Sequence, residues 1–269
     1  MIKISKQINL NSSSANITNF PLNSVLNFNL DGLLNPNNTP IYRDISIVHA
    51  EIPVSYYIVN ENNNLFVLRE NGVIREITLI LGNYNAISFK TMLLILINTN
   101  GFTYELTFNN STGKYSFTGF GANQFQIFES TTCNILLGLQ KQITYTSVDN
   151  VLIAPFVANF LGATQIKIKS QAIQTENLDS ASRGSDNIFA IIQVATPAFG
   201  LINYMNITDF KNKLLNSSLN SIDITVTDGL NNILNFNGVH LSLTVVIDEF
   251  YNDYNFTDKN SLTELIKKE

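Results

Sequence analysis

Residues 221–249, SIDITVTDGLNNILNFNGVHLSLTVVIDE, restrict this chain to few folds. Ile222, Ile224 and Val226 alternate with Asp223, Thr225 and Thr227, and Leu241, Leu243 and Val245 alternate with Ser242 and Thr244. That period of two is the mark of a strand with one buried face. Asp228-Gly229, Asn231-Asn232 and Asn237-Gly238 lie between them and supply residues that accept positive φ in turns. Two strands that each bury one face need more strands to cover them. About ten further segments upstream have the same character, which predicts an all-β sandwich that closes on this C-terminal pair.

In chain order, residues 1–23 read as a polar, turn-rich N-terminal arm with Lys3 and Lys6 as a small basic element. Residues 24–31 are the first good strand, with Leu26, Phe28 and Leu30 on one face. Residues 41–52 form a longer one, with Ile45, Ile47 and His49 on one side, and Pro53 ends it. Residues 65–69 and 73–81 pair through Glu70-Asn71-Gly72. The pattern then changes. Phe89, Leu93, Leu96 and Ile97 recur at helical spacing within residues 86–98, with Asn83 or Asn85 as cap and Gly101 as terminator. A hairpin over 102–120 and a short helix around Cys133 ending at Gly138 follow. Residues 82–140 are therefore expected to be a helix and hairpin insert within a domain spanning 24–250. Beyond it come strands at 164–172 and 187–194, and residues 251–269 form a C-terminal tail.

A chain of 269 residues with 45% hydrophobic content can build a substantial core as one domain. Its surface chemistry is unusual: 39 asparagines outnumber the 37 Lys, Arg, Asp and Glu together. A codon bias toward Asn, Ile and Lys explains this, and so does a surface that neighbours cover. The net charge of −5 argues against nucleic-acid binding, which needs a basic footprint. Cys133 is the single cysteine, so no intrachain disulfide forms. No apolar run approaches the ~18 residues of a membrane span, and the first ten residues lack the apolar core of a signal peptide.

Catalytic constellations are nearly absent. His49 and His240 are the two histidines, each on an expected strand without a second ligand nearby. His240 would need Asp223 or Asp248 beside it to act as a base. Asp248, Glu249 and Asp253 are close in sequence, but alternation turns Asp248 and Glu249 to opposite faces, so they do not make a paired-carboxylate site. Cys133 reads as packing. Tyr56-Tyr57, Tyr104, Tyr115, Phe117 and Phe120 could stack bases or sugars, yet Arg43 and Lys114 are among few cations nearby. Lys167 and Lys169 form a small basic stripe on a strand face. No catalytic, cofactor-binding or metal-ligating residues are assigned, and a binding or structural role is expected rather than an enzyme.

Read together, the segments have a familiar order: 43–60 (RDISIVHAEIPVSYYIVN), 77–89, the hairpin 102–120, 133–139, 165–180, 185–206 (SDNIFAIIQVATPAFGLINYMN) and the closing 221–248. In this order the chain resembles the penton (minor capsid) proteins of virophages and polinton-like viruses. The resemblance implies a single jelly roll of two antiparallel four-stranded sheets with an insert. It further implies five copies at each vertex of an icosahedral capsid, partnered by one another and by a major capsid protein. No cofactor, no sequence-specific nucleic acid and no membrane span are implied. Location would be the virion, with synthesis in the host cell cytoplasm. The alternative is a jelly-roll carbohydrate- or receptor-binding module using Tyr56 and Tyr115 as a sugar platform.

Overall fold

A computed structural model describes residues 1–31, 40–99, 103–121, 124–174, 178–179, 184–185, 187–208, 210–214 and 220–252. Two compact units emerge, one from 1–56 together with 163–269 and the other from 57–162. Eight longer strands frame the first: β1 Ile2–Asn11, β2 Val25–Asn29, β3 Tyr42–Pro53, β4 Gln165–Lys169, β5 Ile188–Gln193, β6 Leu201–Met205, β7 Ser221–Asp228 and β8 Ser242–Tyr251. They pair antiparallel as β1 with β8, β2 with β7, β3 with β6 and β4 with β5. This is one long ribbon folded back on itself. Further pairing of β8 with β3 and of β4 with β7 rolls the ribbon into sheets of order β1-β8-β3-β6 and β5-β4-β7-β2, a jelly roll. Short strands Asn212–Leu214, Ile173–Gln174 and Asn16–Ile17 widen the two sheets to six and five.

The inner faces share one core, in which Leu26 and Phe28 of β2, Ile45 and Ile47 of β3, Ile166 and Ile168 of β4, Ile222 and Ile224 of β7 and Leu243, Val245 and Ile247 of β8 are all buried. A register shift between Thr244 and Val245 against β3 changes the alternation there, so Ala50 and Ile52 point inward and His49 is only half-buried. His49 therefore does not share the face of Ile45 and Ile47, because a bulge adds one residue and reverses every side chain beyond it.

Three expectations change. Residues 1–23 are not an arm, since residues 2–11 are the first strand of the jelly roll and align with β8 over ten consecutive pairs. Its half-exposed Ile2 and Ile4 hid the inward stripe that Ile8 and Leu10 complete. β7 and β8 are not neighbours: the connection 229–241 crosses from one sheet to the other, and Asp228 and Ser242 end up on different sheets. The hairpin Leu65–Glu70 with Val73–Thr78 belongs to the second unit and not to the sandwich. The tail expected at 251–269 lies outside the described residues from 253 onward.

The second unit interrupts the jelly roll between β3 and β4. It holds a four-stranded sheet (Tyr145–Thr146, Phe125–Ile127, Leu65–Glu70, Val73–Thr78) and a three-stranded one (Val151–Ile153, Lys114–Gly119, Tyr104–Asn109). Helix α1, Ala86–Thr99, buries Phe89, Met92, Leu93 and Ile97 against this unit's own core. Asn85 caps it, its Oδ1 accepting from the N–H groups of Ile87 and Ser88 at 3.0 and 2.9 Å, which satisfies two of the helix's first free donors. Tyr115 is fully buried and donates its hydroxyl to the Ala86 carbonyl at 2.6 Å, fixing the helix start to the hairpin. Asn71 and Gly72, both with positive φ, close the 65–78 hairpin as their types predict.

Candidate functional site

The densest charge chemistry among the described residues lies where β8 ends. Alternation sends Asp248 to the outer face of its sheet and Glu249 to the core face, as the sequence predicts. Glu249 is fully buried and stands opposite Arg43 of β3. Its Oε1 accepts from Arg43 Nε at 2.8 Å, and its Oε2 accepts from Tyr251 at 3.0 Å and pairs with Lys6 Nζ at 2.9 Å. Burial alone would raise its pKa, but the bonds from Lys6, Arg43 and Tyr251 outweigh that and lower it. The Tyr251 hydroxyl is pushed up to about 12, first by burial and then by its bond to Glu249.

On the opposite face Asp248 accepts from Ser5 Oγ at 2.6 Å and from Lys211 Nζ at 2.7 Å, with Lys3 Nζ at 3.0 Å. Burial would raise its pKa, yet the bonds from Lys211, Ser5 and Lys3 hold it at about 2. A shallow cavity of about 210 Å³ opens beside it, lined by Lys3, Ser5, Asn206, Thr208, Phe210 and Lys211. Both carboxylates are saturated by cations and donors, so neither is set up to accept a proton near neutral pH. Together they fasten β1 and β3 to β8.

The other residues singled out in the sequence are scattered. His240 Nδ1 lies 3.0 Å from Ser12 Oγ, a contact that joins the residue after β1 to the stretch leading into β8. Asp223 is engaged elsewhere, accepting from Ser170 Oγ at 3.2 Å and from the Gln171 N–H at 2.9 Å. No carboxylate partner for His240 is therefore formed by Asp223 or Asp248. Cys133 is buried, and burial pushes its thiol pKa upward, away from nucleophilic chemistry. Tyr56, Tyr104, Tyr115 and Phe117 are buried in cores, while Phe120 is exposed, so they do not form one platform. Lys167 is buried rather than solvated, and its Nζ and that of Lys169 both donate to Asn231 Oδ1, at 3.2 and 2.8 Å. Asp253 lies outside the described residues. Among the described residues no three metal-ligating side chains cluster, and no helix is long and apolar enough to cross a membrane.

Against solved structures the architecture has a clear counterpart. A crystal structure of the mavirus penton protein matches 93% of this chain and 100% of its own, with a TM-score of 0.50 at 10% identity. The chain shares its fold with that penton protein. No model of a known protein family matches the sequence, and no curated protein does. The likeness is thus one of architecture, extending over both units, and at 10% identity it carries no residue-level correspondence.

Sequence reasoning missed the Glu249, Arg43, Lys6 cluster. Its signal was available: an acidic residue on the apolar face of the last strand has to meet a cation, and Arg43 and Lys6 are charged residues in otherwise inward-facing positions of β3 and β1.

Proposed function

We propose that this chain is a capsid vertex protein that assembles as a homopentamer and abuts a major capsid protein in the virion of a virophage or a related icosahedral DNA virus, after synthesis in the host cell cytoplasm. The observation that carries the reading is the fold match of 93% of this chain to the full length of the mavirus penton protein. The exposed surface is consistent with it. Met205, Ile207 and Phe210 of the first unit and Ile153, Val157 and Leu161 of the second each stand more than half exposed. Exposed apolar side chains such as these are available for a neighbour to cover. A structural protein needs no activated nucleophile, and the saturated carboxylates and buried thiol fit that role.

Reconstruction of the intact particle tests the reading. Density for the jelly roll and its second unit is expected at the fivefold vertices, and its absence there would remove the proposal. The sugar-binding alternative receives no support from the geometry, because Tyr56 and Tyr115 are buried.

A further inference from the structure

β1 closes the first sheet on one side, and among the described residues no strand lies beyond it. Ser12 donates to the Leu241 carbonyl at 2.9 Å, and ladder bonds alternate along an antiparallel strand. The even-numbered residues of β1 therefore turn their backbone groups toward β8, and Lys3, Ser5, Gln7 and Asn9 turn theirs to the open side. Among the described residues no strand pairs there. Proteins usually guard such an edge with lysines, prolines, bulges or inward-pointing charges. Here Lys3 and Lys6 guard only the first half, and Lys6 points inward to Glu249. Residues 7–11, QINLN, carry no charge, no proline and no register shift.

On the other sheet β5 is an edge strand, open on one side among the described residues. Val194 donates to Thr164 at 3.0 Å, so by the same alternation Ile191 and Gln193 of β5 turn their N–H and C=O away from β4. Ile191 is half-exposed and Ile192 is buried, the same half-buried alternation that Ile8 and Leu10 give β1. The ribbon pairing puts β1 and β2 at one rim of the sandwich and β5 and β6 at the other. The two edges thus belong to different sheets and opposite rims, and neither carries a charge in the stretch that is open.

We infer that residues 7–11 of one copy add as a strand to β5 of a second copy. The occupant is another copy of this chain because the chain itself presents both complementary edges. Since each copy uses one rim to give and the other to receive, the contact is head to tail, the kind from which a closed ring is built when the rotation between copies closes. This rests on the reading of the chain as a ring-forming subunit and names the backbone contact that would build the ring.

Gln7→Pro, Asn9→Pro and Ile191→Pro provide the test in the full chain. Each removes an N–H that faces the open edge and contributes nothing to the ladder within the sheet, a position where proline is tolerated. Sedimentation is expected to show a wild-type oligomer whose dissociation constant rises about tenfold or more in each variant, the cost of a lost interstrand bond plus the ring clash. Hydrogen exchange on the wild type is the second measurement, and it does not depend on the variants folding. The Gln7, Asn9 and Ile191 amides should gain protection as concentration rises. A wild type that stays monomeric, variants that assemble as the wild type does, or the absence of that protection each overturn the inference. The vertex reading would stand apart from all three outcomes, since it is decided by density in the particle.

Discussion

Arg43 and Glu249 face each other across β3 and β8, Nε to Oε1 at 2.8 Å, with the carboxylate fully buried. Two charges removed from water at the end of an apolar core repay their desolvation only through close geometry and further bonds, which Lys6 and Tyr251 supply. The bonding is incomplete on the cation side, because Arg43 Nη1 is buried without an acceptor.

Breaking this pair should be costly. Arg43→Ala is expected to lower stability by about 3 kcal/mol, since it leaves a buried carboxylate with one cation fewer. Lys6→Ala, on a partly exposed edge, should cost only about 1 kcal/mol. Urea unfolding gives both values, and equal losses would show that burial does not set the difference.

Acid should weaken the fold through Asp248. Its folded pKa, about 2, lies below the ordinary value of an aspartate, so the carboxylate contributes stability that is present above about pH 4 and is lost as pH falls through 2. Glu249, also lowered, adds to the loss in the same direction. Unfolding midpoints measured between pH 2 and 6 should fall steeply at the acid end, and Asp248→Asn should flatten that limb. An unchanged acid limb in the variant would contradict the bonding seen at Asp248.

Ser12 and His240 should separate cleanly. Ser12 is buried, and its Oγ accepts from the Leu241 N–H at 2.9 Å as well as meeting His240. Ser12→Ala leaves a buried amide unpaired and is expected to cost about 2 kcal/mol, whereas His240→Ala should cost under about 1 kcal/mol. Thermal unfolding of the two variants decides it. Loss of a hydrolytic or lyase activity with His240→Ala would overturn the non-enzymatic reading.

Replacing residues 57–162 with a flexible Gly-Ser linker should leave a folded β-protein, because all eight jelly-roll strands and their core lie outside that segment. Removing only 82–140 should fare worse. That deletion keeps Phe66 and Leu68 but discards Phe89, Phe117 and Phe125, with which they share a core. Circular dichroism and cooperative melting of the two deletions report the outcome, and an unfolded 57–162 deletion would mean that the jelly roll depends on the second unit.

Local pattern alone determined the alternating strands from Leu26 to Ile247, the α1 helix with an asparagine cap at 83 or 85, the Asn71-Gly72 turn and the opposite facing of Asp248 and Glu249. Each of these follows from spacing along a short stretch and from the conformations its own residues favour. Pairing partners could not be read the same way. Residues 2–11 become a strand because β8 lies beside them, nearly the whole chain away, and the 65–78 hairpin leaves the sandwich because its apolar face finds Phe117 and Phe125. The bulge that turns His49 outward, the burial of Lys167 and the meeting of Arg43 with Glu249 likewise depend on contacts between residues far apart in sequence. Periodicity states that a face must be buried; only the tertiary structure decides against what.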